Sequence, residues 1–165
     1  MNLIIALLFL LQPSPLPQKD YQVKVVSIAD GDTFSFLSDN KKIRVRIEAI
    51  DAPEKGMPFY KSAKEYLSGL CGAKFVKLKI INTDRYGRFV ARVTLADGRD
   101  VSSEMIKAGM AWHYKQYSSD KRLAALEDKA RRNHIGLWHD KNARAPWEVR
   151  KERRKLKKKK SGHKS

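Results

Sequence analysis

The residues able to do chemistry in this 165-residue chain fall into three short stretches. The central one is Arg46-Ile47-Glu48-Ala49-Ile50-Asp51-Ala52-Pro53-Glu54, which ends on two acids with an arginine five residues before the first. Ala29-Asp30-Gly31-Asp32-Thr33 precedes it, and Asp84-Arg85-Tyr86-Gly87-Arg88 follows it. Carboxylates such as Asp32 and Asp51 suit a hard divalent cation, which takes oxygen ligands at about 2.3–2.6 Å. A further acid, Glu54, can serve water. Arg46 and Arg88 offer guanidinium forks, which bind phosphate oxygens bidentately.

These residues must be brought together by the elements that carry them. Tyr21–Ala29 is rich in β-branched residues and predicts a first strand. Asp30-Gly31 is a turn signal. Asp32–Leu37 predicts a second strand and Lys42–Ile50 a third, with Ile43, Val45, Ile47 and Ala49 on one face and Arg44, Arg46 and Glu48 on the other. If strands two and three are antiparallel neighbours, Asp32 and Asp51 lie at one edge of the sheet and can meet. The plainer alternative is a turn at Asp30-Gly31-Asp32 and a strand terminus at Asp51. An EF-hand is excluded: Phe34 and Ser35 stand where that loop needs Asp or Asn and then Gly. Arg46 and Arg88 could equally be solvated surface arginines, and Glu54 an ordinary loop acid.

Further along, Phe59–Leu70 carries Tyr60, Ala63, Leu67 and Leu70 at helical spacing. Lys74–Ile81 predicts strand four and Arg88–Leu95 strand five. Val101–Gly109 predicts a short helix stopped by glycine. Another helix starts after Ser118 or Ser119 as cap and closes at Gly136. Trp138 and Trp147 pack back on the domain. The order β-β-β-α-β-β-α-α fits an α+β fold, a five-stranded OB-type β-barrel with three α-helices.

The charge is lopsided, with 35 Lys and Arg against 18 Asp and Glu. Residues 141–165 hold twelve Lys or Arg against Glu148 and Glu152, a net +10, which leaves +7 for residues 1–140. The partner expected for such a chain is a polyanion: nucleic acid first, an anionic membrane surface second. The single Cys71 permits no intramolecular disulfide and reads as a small buried residue. Leu3–Leu11 is too short for a bilayer span, which needs about 20 residues. It fits the apolar region of a signal peptide, although no Lys or Arg precedes it and no small-x-small cleavage site follows. An uncleaved membrane tether is the alternative. Residues 1–17 thus read as a leader and linker, 18–147 as one domain, and 148–165 as a basic tail, disordered from Lys155 on.

Taken jointly, Asp30-Gly31-Asp32-Thr33, Arg46 with Asp51-Ala52-Pro53-Glu54, and Asp84-Arg85-Tyr86-Gly87-Arg88 resemble the staphylococcal nuclease (thermonuclease) family. The match runs over roughly Val23 to Trp138 and includes Gly109-Met110-Ala111. The resemblance implies Asp32 and Asp51 as carboxylate ligands of Ca²⁺, with the backbone carbonyl of Ala52 as a third. The best-known member has Thr at that position, and a main-chain ligand survives the change. It implies Glu54 as the residue that orients or deprotonates the attacking water, and Arg46 and Arg88 on the scissile phosphate. Arg85 and Tyr86 would contact the neighbouring phosphate. The implied activity is a Ca²⁺-dependent endonuclease hydrolysing DNA and RNA at the 5′ P–O bond, leaving 3′-phosphates, with little sequence preference. The expected protein is a monomer without a stable protein partner, secreted or in the periplasm or cell envelope. The rival of another class is a catalytically silent nucleic-acid-binding barrel. Against it, the chain keeps Asp32, Arg46, Asp51, Glu54 and Arg88. Trp112, Tyr114 and Tyr117 are open to base stacking or core packing alike. His113, His134, His139 and His163 show no metal-ligand spacing.

Overall fold

A computed structural model describes residues 20–161, so the apolar leader, the end of the basic tail and His163 lie outside the described residues. Strand β1 (Asp20–Ile28) pairs antiparallel with β2 (Thr33–Ser38), which pairs antiparallel with β3 (Lys41–Ile47). The β2–β3 turn is made by Asp39 and Asn40, both at positive φ (48° and 60°), the backbone that a two-residue hairpin needs.

The third strand is shorter than its alternating pattern predicts. It stops at Ile47 rather than Ile50, because Ala49 takes a left-handed conformation (φ 65°) that no strand accommodates. Such a conformation costs about 1–3 kcal/mol in a non-glycine residue. It is held by the Tyr114 N–H, which donates to the Ala49 carbonyl at 2.8 Å. The chain is thereby redirected into a two-residue strand β4 (Ile50–Asp51), which leaves the barrel.

Helix α1 (Tyr60–Cys71) buries Ala63, Leu67 and Cys71. Strands β5 (Phe75–Thr83) and β6 (Phe89–Leu95) follow, and β6 closes the barrel by pairing parallel to β3, giving the order β1-β2-β3-β6-β5. Helix α2 (Val101–Lys107) is capped by Asp100, and β7 (Trp112–His113) receives β4. The core fills the barrel with Val25, Phe34, Val45, Ile47, Leu78 and Val93, and α1 and α2 cover it with Leu67, Met105 and Ile106.

Helix α3 (Lys121–Arg132) begins one residue later than the serines allow. Its cap is Asp120, whose carboxylate accepts from the N–H groups of Arg122 (2.8 Å) and Leu123 (3.2 Å). After a 3-10 turn (Gly136–His139), a fourth helix α4 runs from Pro146 to Ser161. This corrects the expectation of three helices and of disorder from Lys155. Proline suits the first helical position, and Glu, Arg, Lys and Leu are good helix formers. The first turns of α4 also find partners on the domain. Among the described residues no helix is long and apolar enough to cross a membrane.

Candidate active site

The register of β2 on β3 builds the first half of the site. Thr33 lies opposite Arg46, and the Ile47 N–H donates to the Asp32 carbonyl at 2.8 Å. Asp32 and Arg46 therefore stand side by side at one barrel rim. The second half arrives because β4 turns inward. The Ala52 N–H donates to Asp32 Oδ2 at 2.7 Å, which ties the end of β4 to the start of β2. Gly31 makes the close approach possible: a Cβ there would lie 2.8 Å from those of both Ala52 and Ala63.

Asp32 and Asp51 are thus both buried, at 6% and 2% exposure. Uncompensated, two such carboxylates would be prohibitive. One nitrogen of Arg46, Nη2, sits 3.2 Å from Asp32 Oδ2 and 3.0 Å from Asp51 Oδ1. Arg46 Nη1 donates to the Ile47 carbonyl at 2.9 Å, which fixes the fork. Burial, reinforced by the Asp32 charge, raises the Asp51 carboxyl above the usual carboxylate range, and the Arg150 hydrogen bond opposes it. Behind them Asp30 accepts from the Asp32 N–H at 3.1 Å. Burial and the charge of Asp32 push its carboxyl up to about 6.

Glu54 lies three residues past Asp51, in a turn closed by the Met57 N–H on its carbonyl at 2.8 Å. Its carboxylate and that of Asp51 share a partner that nothing in the sequence marks. Arg150 of α4 donates from Nη2 to Asp51 Oδ2 and from Nη1 to Glu54 Oε1, each at 2.7 Å. Arg153 Nη1 stands 3.5 Å from Glu54 Oε2. Burial works against the charge of Arg150, but the hydrogen bonds to Asp51 and Glu54 outweigh it and hold the guanidinium firmly protonated.

Arg88 is close in the fold but occupied. Arg46 pairs with Val90 across the parallel β3–β6 ladder, so Arg88 stands one strand over and two residues short of that partner. Its Nε and Nη2 grip Asp84 Oδ2 at 2.8 and 2.7 Å. The carboxylate of Asp84 also accepts from the N–H groups of Tyr86 and Arg88, closing the turn in which Gly87 takes φ 73°. Tyr86 is 59% exposed, with the guanidiniums of Arg85 and Arg88 5.0 and 5.4 Å from its ring centroid. Arg44 donates to its carbonyl at 3.2 Å. The structure therefore gathers Asp32, Arg46, Asp51, Ala52 and Glu54 in one place. It puts Arg85, Tyr86 and Arg88 in an adjacent cationic and aromatic cluster.

The remaining candidates sort by burial. Trp112 packs edge-on against Trp138 at 5.5 Å and belongs to a small second core. Tyr114 stacks flat on Trp147 at 5.0 Å, and Tyr117, 70% exposed, meets Tyr114 edge-on. Of the three, Tyr117 is the one exposed enough for a base. His113 is buried, with Nε2 3.0 Å from Ser118 Oγ, and His134 Nδ1 lies 3.3 Å from the Trp138 carbonyl. Burial pushes the Cys71 thiol up to about 12, which suits an inert core residue.

The donor set fits a hard cation. It consists of carboxylate and main-chain oxygens, and a single cationic nitrogen already touches one oxygen of each aspartate. Among the described residues no three of His, Cys, Asp and Glu are placed so that they could hold a metal ion among themselves. A cation at Asp32 and Asp51 would take its other ligands from the Ala52 carbonyl, water or substrate.

Comparison with known proteins bears on the family of the chain. A family model described as staphylococcal nuclease homologue matches residues 44–140. A protein of Escherichia coli described as an uncharacterized endonuclease is 36% identical over 133 residues, covering 81% of this chain and 87% of its own. One of the same description from Haemophilus influenzae is 42% identical over 130 residues, covering 78% and 72%. A micrococcal nuclease of Shigella flexneri is 37% identical over 142 residues, covering 80% and 82%. With the barrel, the closing helices and a family match over more than half its length, the chain belongs to the staphylococcal nuclease family.

Proposed function

We propose that the protein is a Ca²⁺-dependent endonuclease that hydrolyses DNA, RNA or both with little sequence preference, breaking the 5′ P–O bond and leaving 3′-phosphates. The observation that carries the reading is the meeting of Asp32 and Asp51, two buried acids from separate segments, at one nitrogen of Arg46, with Glu54 beside them. The nuclease descriptions of the relatives point the same way.

In this reading Asp32, Asp51 and the Ala52 carbonyl hold the cation. When bound, Ca²⁺ neutralises the phosphate and lowers the pKa of its water. Glu54 orients a water for in-line attack and can accept its proton. Negative charge builds on the equatorial phosphate oxygens as that water attacks. Arg46 faces the growing charge and stabilises it more in the transition state than in the ground state. Arg88 supplies a second guanidinium once it leaves Asp84, and Arg85 with Tyr86 receives the neighbouring phosphate. The apolar stretch Leu3–Leu11 supports a secreted, periplasmic or cell-envelope protein, or one on an N-terminal membrane tether.

The test is incubation of the purified chain with single-stranded DNA and Ca²⁺, with and without EGTA. Cleavage that EGTA abolishes is expected, with 3′-phosphate ends on the products. Binding without cleavage in the presence of Ca²⁺ would instead establish the silent nucleic-acid-binding barrel.

A further inference from the structure

Arg150 lies 96 and 99 residues from the two acids it touches. Its fork covers both oxygens of Asp51, Oδ2 at 2.7 Å and Oδ1 at 3.3 Å, and bridges from there to Glu54. The contact is anchored locally. Three residues earlier, the Trp147 ring stacks flat on Tyr114. The Tyr114 N–H in turn holds the carbonyl of Ala49, two residues before Asp51. The first turn of α4 is thus fastened to the very segment that carries the acids.

A guanidinium that donates to Asp51 uses lone pairs that a divalent cation would use, and like charge repels a second cation from the same place. We infer that Arg150 is a second internal counter-ion of this site, beside Arg46: it must leave Asp51 before a divalent cation is held there, and so it lowers the cation affinity of the protein. The inference rests on the proposed metal role of Asp51. The seat is taken by direct contact and not by general positive charge. Lys151, the next residue on the helix, is exposed and carries the same charge without facing the acids.

The experiment is calorimetric titration of Ca²⁺ into the full-length chain and its R150Q, R150K and K151Q variants, with melting temperatures taken alongside. The wild type is expected to bind Ca²⁺, R150Q to bind it about tenfold more tightly, and K151Q to stay within about twofold of the wild type. R150K should fall between R150Q and the wild type, since an ammonium cannot fork onto two carboxylates. It decides the matter if R150Q fails to fold. Unchanged or weaker affinity in the Arg150 variants would overturn the inference and leave the metal site standing. An equal gain in K151Q would also overturn it. Absence of Ca²⁺ binding in every variant would overturn the metal reading, and the inference with it.

Discussion

Arg46 has two tasks that mutation can separate. It neutralises two buried carboxylates, and in the proposed reaction it faces the phosphate. Removing one member of a buried ion pair costs about 3–5 kcal/mol where no other charge compensates. Arg150 also touches Asp51, which limits the loss here. Arg46→Ala is therefore expected to stay folded at room temperature with a lower melting temperature. Its turnover should drop about 10²–10³-fold, the usual cost of losing one such transition-state donor. Near wild-type turnover with a lowered melting temperature would make Arg46 purely structural. His113 gives a pH prediction away from the acids. Burial depresses its pKa, so the folded protein keeps it neutral while the unfolded chain protonates near 6.5. Its contribution to stability is complete above that value and is lost as pH falls below it, until the folded group also takes a proton. The melting temperature of the wild type should fall more steeply between pH 7.5 and 5 than that of His113→Gln. Parallel curves would show that the ring does not resist protonation.

At the level of elements, each candidate group stands where an interruption puts it. The left-handed Ala49 ends β3 and swings Asp51 toward Asp32. The Asp84 turn presents Arg85, Tyr86 and Arg88 together. Helix α3 depends on its cap. Asp120→Ala removes the acceptor for two terminal N–H groups and should cost about 1 kcal/mol, or about 2–4 °C in melting temperature. Thermal denaturation followed by circular dichroism checks it. Ser118→Ala should cost less at the helix start, because Ser118 Oγ contacts His113 and the Asp120 N–H and does not cap α3 itself.

For the whole molecule, the charge distribution separates the site from the arm beyond it. Arg150 and Arg153 face the acids, whereas Lys155 and Lys157 are exposed. Removing residues 155–165 leaves the site intact and takes away a basic segment that suits a nucleic-acid backbone. The salt dependence of single-stranded DNA binding should become shallower, by about 0.7 in the log–log slope for each phosphate that the arm no longer neutralises. Turnover at saturating substrate should be unchanged. A large drop in turnover would assign the arm to bond cleavage.

The five barrel strands and α1 were legible because they rest on local signals, whereas the grouping of Asp32, Arg46, Asp51 and Glu54 was implied only by the family resemblance. Alternating residues mark a buried sheet face, turn residues mark its edges, and the spacing of acids and arginines survives in one dimension. What sequence alone could not decide depended on contacts between distant segments. Ala49 is an ordinary alanine until the Tyr114 N–H holds its carbonyl, and Arg150 is one of twelve basic residues after position 140 until it meets Asp51 and Glu54. The docking of the first turns of α4 through Trp147, Arg150 and Arg153 was likewise invisible in a stretch whose composition carries few apolar groups to bury. Local patterning determined the barrel strands and the residue types at their ends, and the family motif supplied the candidates for a cation, a water and a phosphate. The tertiary structure alone decided which charge stands opposite them, because a counter-ion is chosen by proximity in space and leaves no periodic trace along the chain.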